Sequence, residues 1–191
     1  MRHAPSSVMI KEMIVMVSKV LFSSKTPEWY TPESQVKLAL RAMDVERFDL
    51  DRCSPSQTGE GTHVPANVYY TKELDGLAQQ WHGKVWINPP YGREIAKWAA
   101  KLYQEYNAGR VTEAVALVPS RLDTNWFQDT LLVSGCIALI AGRIKFISPD
   151  GIKSSATFPS TVFYFGPNRD RFSEVYGAMG YVCLCIKDPT F

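Results

Sequence analysis

Cysteine is scarce in this chain, with Cys53, Cys136, Cys183 and Cys185 the whole complement of 191 residues. Their spacing fits no zinc-ligand pattern, so no metal site is expected. Cys183 and Cys185 alternate on one face of an apparent strand and read as buried, reduced thiols, which suits a reducing, cytoplasmic setting. Histidine is scarcer still, at three residues, and His63 stands in a polar loop where surface exposure is the ordinary outcome. Charge of one sign is lacking too. Lys and Arg number 21 against 19 Asp and Glu, and the net +2 does not by itself argue for a nucleic-acid partner. Any basic surface must be local. A membrane-spanning run is also missing: the apolar stretch Val8 to Phe22 is broken by Lys11, Glu12 and Lys19, and no small-residue cleavage site marks a signal peptide. No membrane partner is expected. Residues 1–28 read as an extension of unknown role, either an amphipathic helix or sequence upstream of another start at Met16.

What is present suits one domain, expected over 29–191. Apolar residues make up 46% and charged residues 21%, and this length can bury a sizeable core. Thr31 is a good N-cap, Pro32 suits a first helical position, and Val36, Ala39, Leu40 and Met43 recur at helical spacing. Phe48-Asp49-Leu50-Asp51 reads as a short strand with Asp51 at its tip and Asp49 solvated. Val68 to Tyr70 suggests another strand, and Asp75-Gly76 a turn. Ile95, Trp98, Ala99, Leu102 and Tyr106 mark an amphipathic helix closed by Gly109. Ala114 to Val118 is a strand, followed by a helix with Trp126, Phe127 and Leu131 capped by Asp123 or Thr124. Strands at Cys136 to Ala141 and Thr161 to Phe165, a helix through Phe172 to Met179, and a strand at Tyr181 to Ile186 complete the pattern. Such alternation implies an α/β fold: a mostly parallel sheet with helices on both faces, and an antiparallel edge supplied by the last elements.

One stretch carries chemistry. Val85-Trp86-Ile87 ends a buried strand, and Asn88-Pro89-Pro90-Tyr91 turns it sharply. Pro89 holds Asn88 extended, and neither proline offers an N–H. An amide, bare carbonyls and an aromatic ring therefore project from a strand end. The lone pair of an exocyclic amine is delocalised into its base, which makes it a poor nucleophile. The Asn88 oxygen and the Pro89 carbonyl can accept its two N–H bonds and aim the lone pair at an electrophile. Tyr91 can stack on a base that has left the helix. Further along, Gly142-Arg143-Ile144-Lys145-Phe146 and the loop to Ser160 combine basic, hydroxyl and aromatic residues suited to phosphates and bases, or form an ordinary solvated hairpin.

Taken together, these pieces resemble the phage-type DNA N-6-adenine methyltransferase family. The elements that carry the likeness are Trp29-Tyr30-Thr31-Pro32, Asp49-Leu50-Asp51, Tyr69-Tyr70-Thr71, Asp75-Gly76-Leu77, Trp81, Asn88-Pro89-Pro90-Tyr91, Arg121 with Trp126-Phe127, and Gly142-Arg143-Ile144-Lys145-Phe146. They run from about residue 29 to 166. The resemblance implies a Rossmann-like fold, S-adenosylmethionine (AdoMet) as methyl donor and adenine in DNA as acceptor. It further implies that Asn88, Pro89, Pro90 and Tyr91 are catalytic. Trp29, Thr31, Pro32, Asp51, Asp75 and Leu77 would form the cofactor site, with Trp81 an added apolar wall. Arg121, Arg143, Lys145 and Lys153 would meet DNA. Two features depart from the pattern: Arg52 stands where the family often has proline, and no Gly-x-Gly loop follows Asp51. Protein-glutamine methylation, which also uses Asn-Pro-Pro-Tyr, and a non-catalytic DNA-binding module are the alternative readings.

Overall fold

The computed structural model describes residues 29–148 and 151–185; the expectations for residues 1–28 and for Ile186 lie outside them. In chain order the elements are α1 (Glu33–Met43), β1 (Phe48–Asp51), β2 (Ala66–Tyr69), β3 (Gly83–Ile87), α2 (Ile95–Asn107), β4 (Val111–Pro119), a π-helical turn (Trp126–Leu131), β5 (Cys136–Ile140), β6 (Lys145–Ile147), β7 (Lys153–Ser155), β8 (Ser160–Phe165), α3 (Arg169–Tyr176) and β9 (Gly180–Leu184). Seven strands form one sheet in the order β2-β1-β3-β4-β8-β5-β9, and β6 and β7 form a separate hairpin.

The sheet is mixed. β2, β1, β3 and β4 run parallel, while β8 is antiparallel to both β4 and β5, and β9 to β5. β9 is the antiparallel edge that the alternation suggested, but β8 is not an edge strand. It enters the middle of the sheet because β5 climbs to the β6–β7 hairpin and β8 descends from it. One consequence positions everything below: β1, β3, β4 and β5 all end at one edge of the sheet, and β8 begins there.

Both faces are covered. Along β4, Val115 and Leu117 pack under α1 and α3, and Ala114, Ala116 and Val118 pack under α2 and the π-helical turn. At the opposite edge a buried polar network pins the strands. The Glu113 carboxylate accepts from the Tyr164 hydroxyl and pairs with Lys84 Nζ at 3.0 Å, and Lys84 Nζ also donates to the Met43 carbonyl at 2.7 Å. Asp49 belongs to this edge rather than to solvent. It is half-buried and accepts the Lys84 backbone N–H at 2.7 Å, so close to Gly83 that a Cβ there would lie 2.2 Å from Asp49 Oδ2. Cys183 and Cys185 are half-buried rather than buried, because β9 is the free edge of the sheet; all four thiols are free.

Candidate active site

Asn88 follows directly on β3, at the edge where the parallel strands end. Its Nδ2 donates to Thr31 Oγ1 at 2.9 Å, while its Oδ1 is buried and has no hydrogen-bond partner. Thr31 is therefore not the N-cap expected of it. The helix starts one residue later, Pro32 takes the cap position, and no described side chain caps the helix. The Gln35 N–H donates to the Pro32 carbonyl at 2.9 Å, but no described side chain accepts from the Glu33 or Ser34 N–H at the start of α1, a suitable place for an anionic group. One turn into α1, Gln35 buries a second unpartnered acceptor, its Oε1. Pro89 is buried and Pro90 exposed. The Tyr91 ring is 39% exposed and meets the Phe146 ring edge-on, 5.9 Å between centroids. Its hydroxyl end is the enclosed part. Burial there pushes the phenol above its ordinary range, partly offset by the Ser160 hydroxyl beside it.

Asp51 ends β1 opposite Trp86 of β3, on the face that Asn88 shares. It is 3% exposed, and its one described hydrogen bond is a long one from the Cys53 N–H, 3.3 Å. Burial lifts its carboxyl pKa to about 6, against the pull of the Cys53 N–H and the Arg52 charge. Arg52 points to the opposite face. Its guanidinium lies 3.0 Å above the Trp81 ring centroid, 5.4 Å from that of Trp98, fully buried and without a hydrogen-bond partner. Asp75 and Gly76 form the turn their types suggest: Asp75 has φ 46°, and its Oδ1 accepts the Leu77 N–H at 3.2 Å. Gly76 sits so close to the Arg52 carbonyl that a Cβ would come within 2.7 Å of it. The turn carrying Asp75 is thus seated against the residue that follows Asp51. Trp81 is wholly buried and donates from Nε1 to the Gly76 carbonyl at 2.7 Å, so it supports that turn from beneath rather than lining a pocket. Leu77 is half-buried at the turn, and Trp29 packs half-buried on the α1 side.

A family model for DNA N-6-adenine-methyltransferase (Dam) matches residues 18–176, a range that takes in the corner, both acids and the hairpin. The chain belongs to this family. No curated protein shows significant similarity to it. Membership makes the chain, at the family level, a DNA adenine methyltransferase, whose substrate is DNA. No helix among the described residues is long and apolar enough to cross a membrane, and no group of His, Cys, Asp and Glu among them could hold a metal ion.

The cations expected to meet DNA cluster at the same edge as the Asn88 corner, in different states. Lys145 and Lys153 are exposed, with no ion pair to a described residue. Arg121, just past β4, lies 3.5 Å from Asp123 and 5.7 Å from the Phe158 ring centroid. Arg143 donates from Nη1 to the Thr157 carbonyl at 3.0 Å and so braces the loop into β8. Sequence reasoning missed the Thr31–Asn88 bond, which joins residues 57 apart, the burial of Arg52 and the unpaired Gln35. No local pattern announces any of them. Neither Asp123 nor Thr124 caps a helix here: the segment is a π-helical turn with Asn125 at its cap position, and the Thr124 hydroxyl donates back to the Arg121 carbonyl.

Proposed function

We propose that the chain is a Rossmann-like, AdoMet-dependent enzyme that methylates the N6 amino group of adenine at specific sites in DNA. The observation that carries the reading is the buried, unpartnered Asn88 Oδ1 at the carboxyl end of β3, its amide fixed on the other side by Thr31. A buried acceptor without a donor is costly, and a ligand N–H removes that cost. The parallel run β2-β1-β3-β4, with ligand groups at its carboxyl edge, fits the general rule for open α/β sheets.

The residues around the corner suit AdoMet. The free helix start at α1 fits a carboxylate; Asp51, Gln35 and Asp75 are acceptors for ammonium, ribose or adenine donors, and Leu77 adds apolar surface. When bound, AdoMet supplies an electrophilic methyl group. The protein's own contribution is placement. Asn88 Oδ1 and the Pro89 carbonyl accept the two N–H bonds of the amine, localise its lone pair and hold it in line. Tyr91, its hydroxyl end enclosed and its ring partly open, stacks on the extruded adenine.

The test is radiolabelled methyl transfer from AdoMet to unmethylated duplex DNA and, separately, to protein. Label should enter adenine of DNA only. Asn88→Ala should lower turnover by at least about a hundredfold, the scale of one lost preorganised polar contact, with folding intact. Label in protein alone, or a wild-type rate in the variant, would end this assignment.

A further inference from the structure

Drawing an adenine out of duplex DNA leaves a gap in the stack and an orphaned partner base, and the residues assigned above fill neither. We propose that Phe158 fills that gap. The inference rests on the reading of Asn88 and Tyr91 as the pocket for the extruded base.

Phe158 is 45% exposed, an unusual state for a phenylalanine held as firmly as this one. Pro159 restricts its backbone to extended conformations. On one side the Thr157 carbonyl accepts from Arg143 Nη1 at 3.0 Å, and on the other the Pro159 carbonyl accepts from the Ser120 N–H at 2.8 Å. The Arg121 guanidinium lies over the ring at 5.7 Å. The ring is therefore presented on a fixed loop, not tucked into the core. Its place is specific: two residues on stands Ser160, which opens β8 at the edge where Asn88 projects and whose hydroxyl lies beside the Tyr91 phenol. Leu122, 56% exposed, adds apolar surface just past Arg121, and Arg121, Arg143, Lys145 and Lys153 give the surroundings the charge that a phosphate backbone requires. An apolar ring inside a cationic rim, one loop away from a pocket for a single base, matches the wedge that fills an opened base step. Tyr91 would then hold the base that leaves, and Phe158 the space it left.

The experiment uses the full chain. Wild-type protein methylates unmethylated genomic DNA, and sequencing locates the modified adenines. Two oligonucleotide duplexes are made around one such site, one intact and one abasic opposite the target, where extrusion leaves no orphan base to support. Affinity and turnover are measured on both for wild type, Phe158→Ala and Phe158→Leu. Phe158→Ala should lose roughly tenfold or more on the intact duplex, the scale of one lost stacking contact, with most of the loss recovered on the abasic duplex. Phe158→Leu should keep most of the function, and AdoMet affinity should not move in either variant. Equal losses on both duplexes, or no loss on the intact one, overturn the proposal. A wild type that methylates no DNA overturns the reading of the site itself, and the proposal with it.

Discussion

Asn88 is tied at one end of its amide and open at the other, and Thr31 decides which end is which. Asp51 is the second residue whose state matters. Its folded pKa of about 6 lies above the ordinary 3.8, so the folded protein holds its proton more tightly than the unfolded chain does. The stability this contributes is present below about pH 4 and is lost as pH rises through about 6; at neutral pH the bare carboxylate costs roughly 3 kcal/mol. Donors on AdoMet would relieve that cost. Affinity for AdoMet is therefore expected to fall as pH drops through about 6, while Asp51→Asn should bind weakly at every pH yet melt higher than wild type at pH 7.5. Calorimetry and thermal melts across this range check both halves, and a wild-type affinity independent of pH would remove Asp51 from the cofactor site. Asp51 was legible because its strand ended in an acid. The Thr31 contact was not, since it depends on how a helix start folds onto a distant strand end.

At the scale of elements, the hairpin β6–β7 divides its side chains. Lys145 pairs with Ser155 and Ile147 with Lys153, so both lysines lie on one face, and Phe146 turns the other face to Tyr91. Replacing Lys145 and Lys153 by glutamine should weaken DNA binding, lower its salt slope by roughly one to two and leave AdoMet affinity nearly unchanged. DNA titrations at several salt concentrations measure this. An unchanged slope would move the backbone contacts to the loop around Arg121. Periodicity located α1, α2, α3 and most strands within a few residues, because apolar spacing records burial directly. Strand order is a different matter. Nothing in Ser160 to Phe165 announces that β8 lies between β4 and β5, and the three residues of β7, all exposed, carry no apolar pattern to read.

Across the whole molecule, the sheet has one edge pinned by Glu113, Lys84 and Tyr164 and one edge given over to open acceptors and exposed cations. Arg52 is the exception, a charge buried without a hydrogen bond, its pKa drawn down to about 10 by burial. Stacking on Trp81 offsets only part of the cost of its desolvation. Arg52→Leu should therefore stabilise the protein by roughly 1–2 kcal/mol, seen as a higher melting temperature. A fall of several degrees would mean that the charge has a bridging partner, such as a trapped water. The same view of the molecule gives weight to a small contact between Tyr30 and Ile147. The Tyr30 N–H donates to the Ile147 carbonyl at 2.7 Å, and the Ile147 N–H to the Tyr30 carbonyl at 3.0 Å. One end of the hairpin is thus laced to the residue before Thr31, while Phe146 leans on Tyr91. If the proposed sites are right, DNA and AdoMet would act on a single mechanical linkage, and each is expected to tighten the other by the same factor. Ile147→Pro removes one of the two bonds, and in it the two affinities should become independent: the enzyme would still hold both ligands, but neither would sense the other.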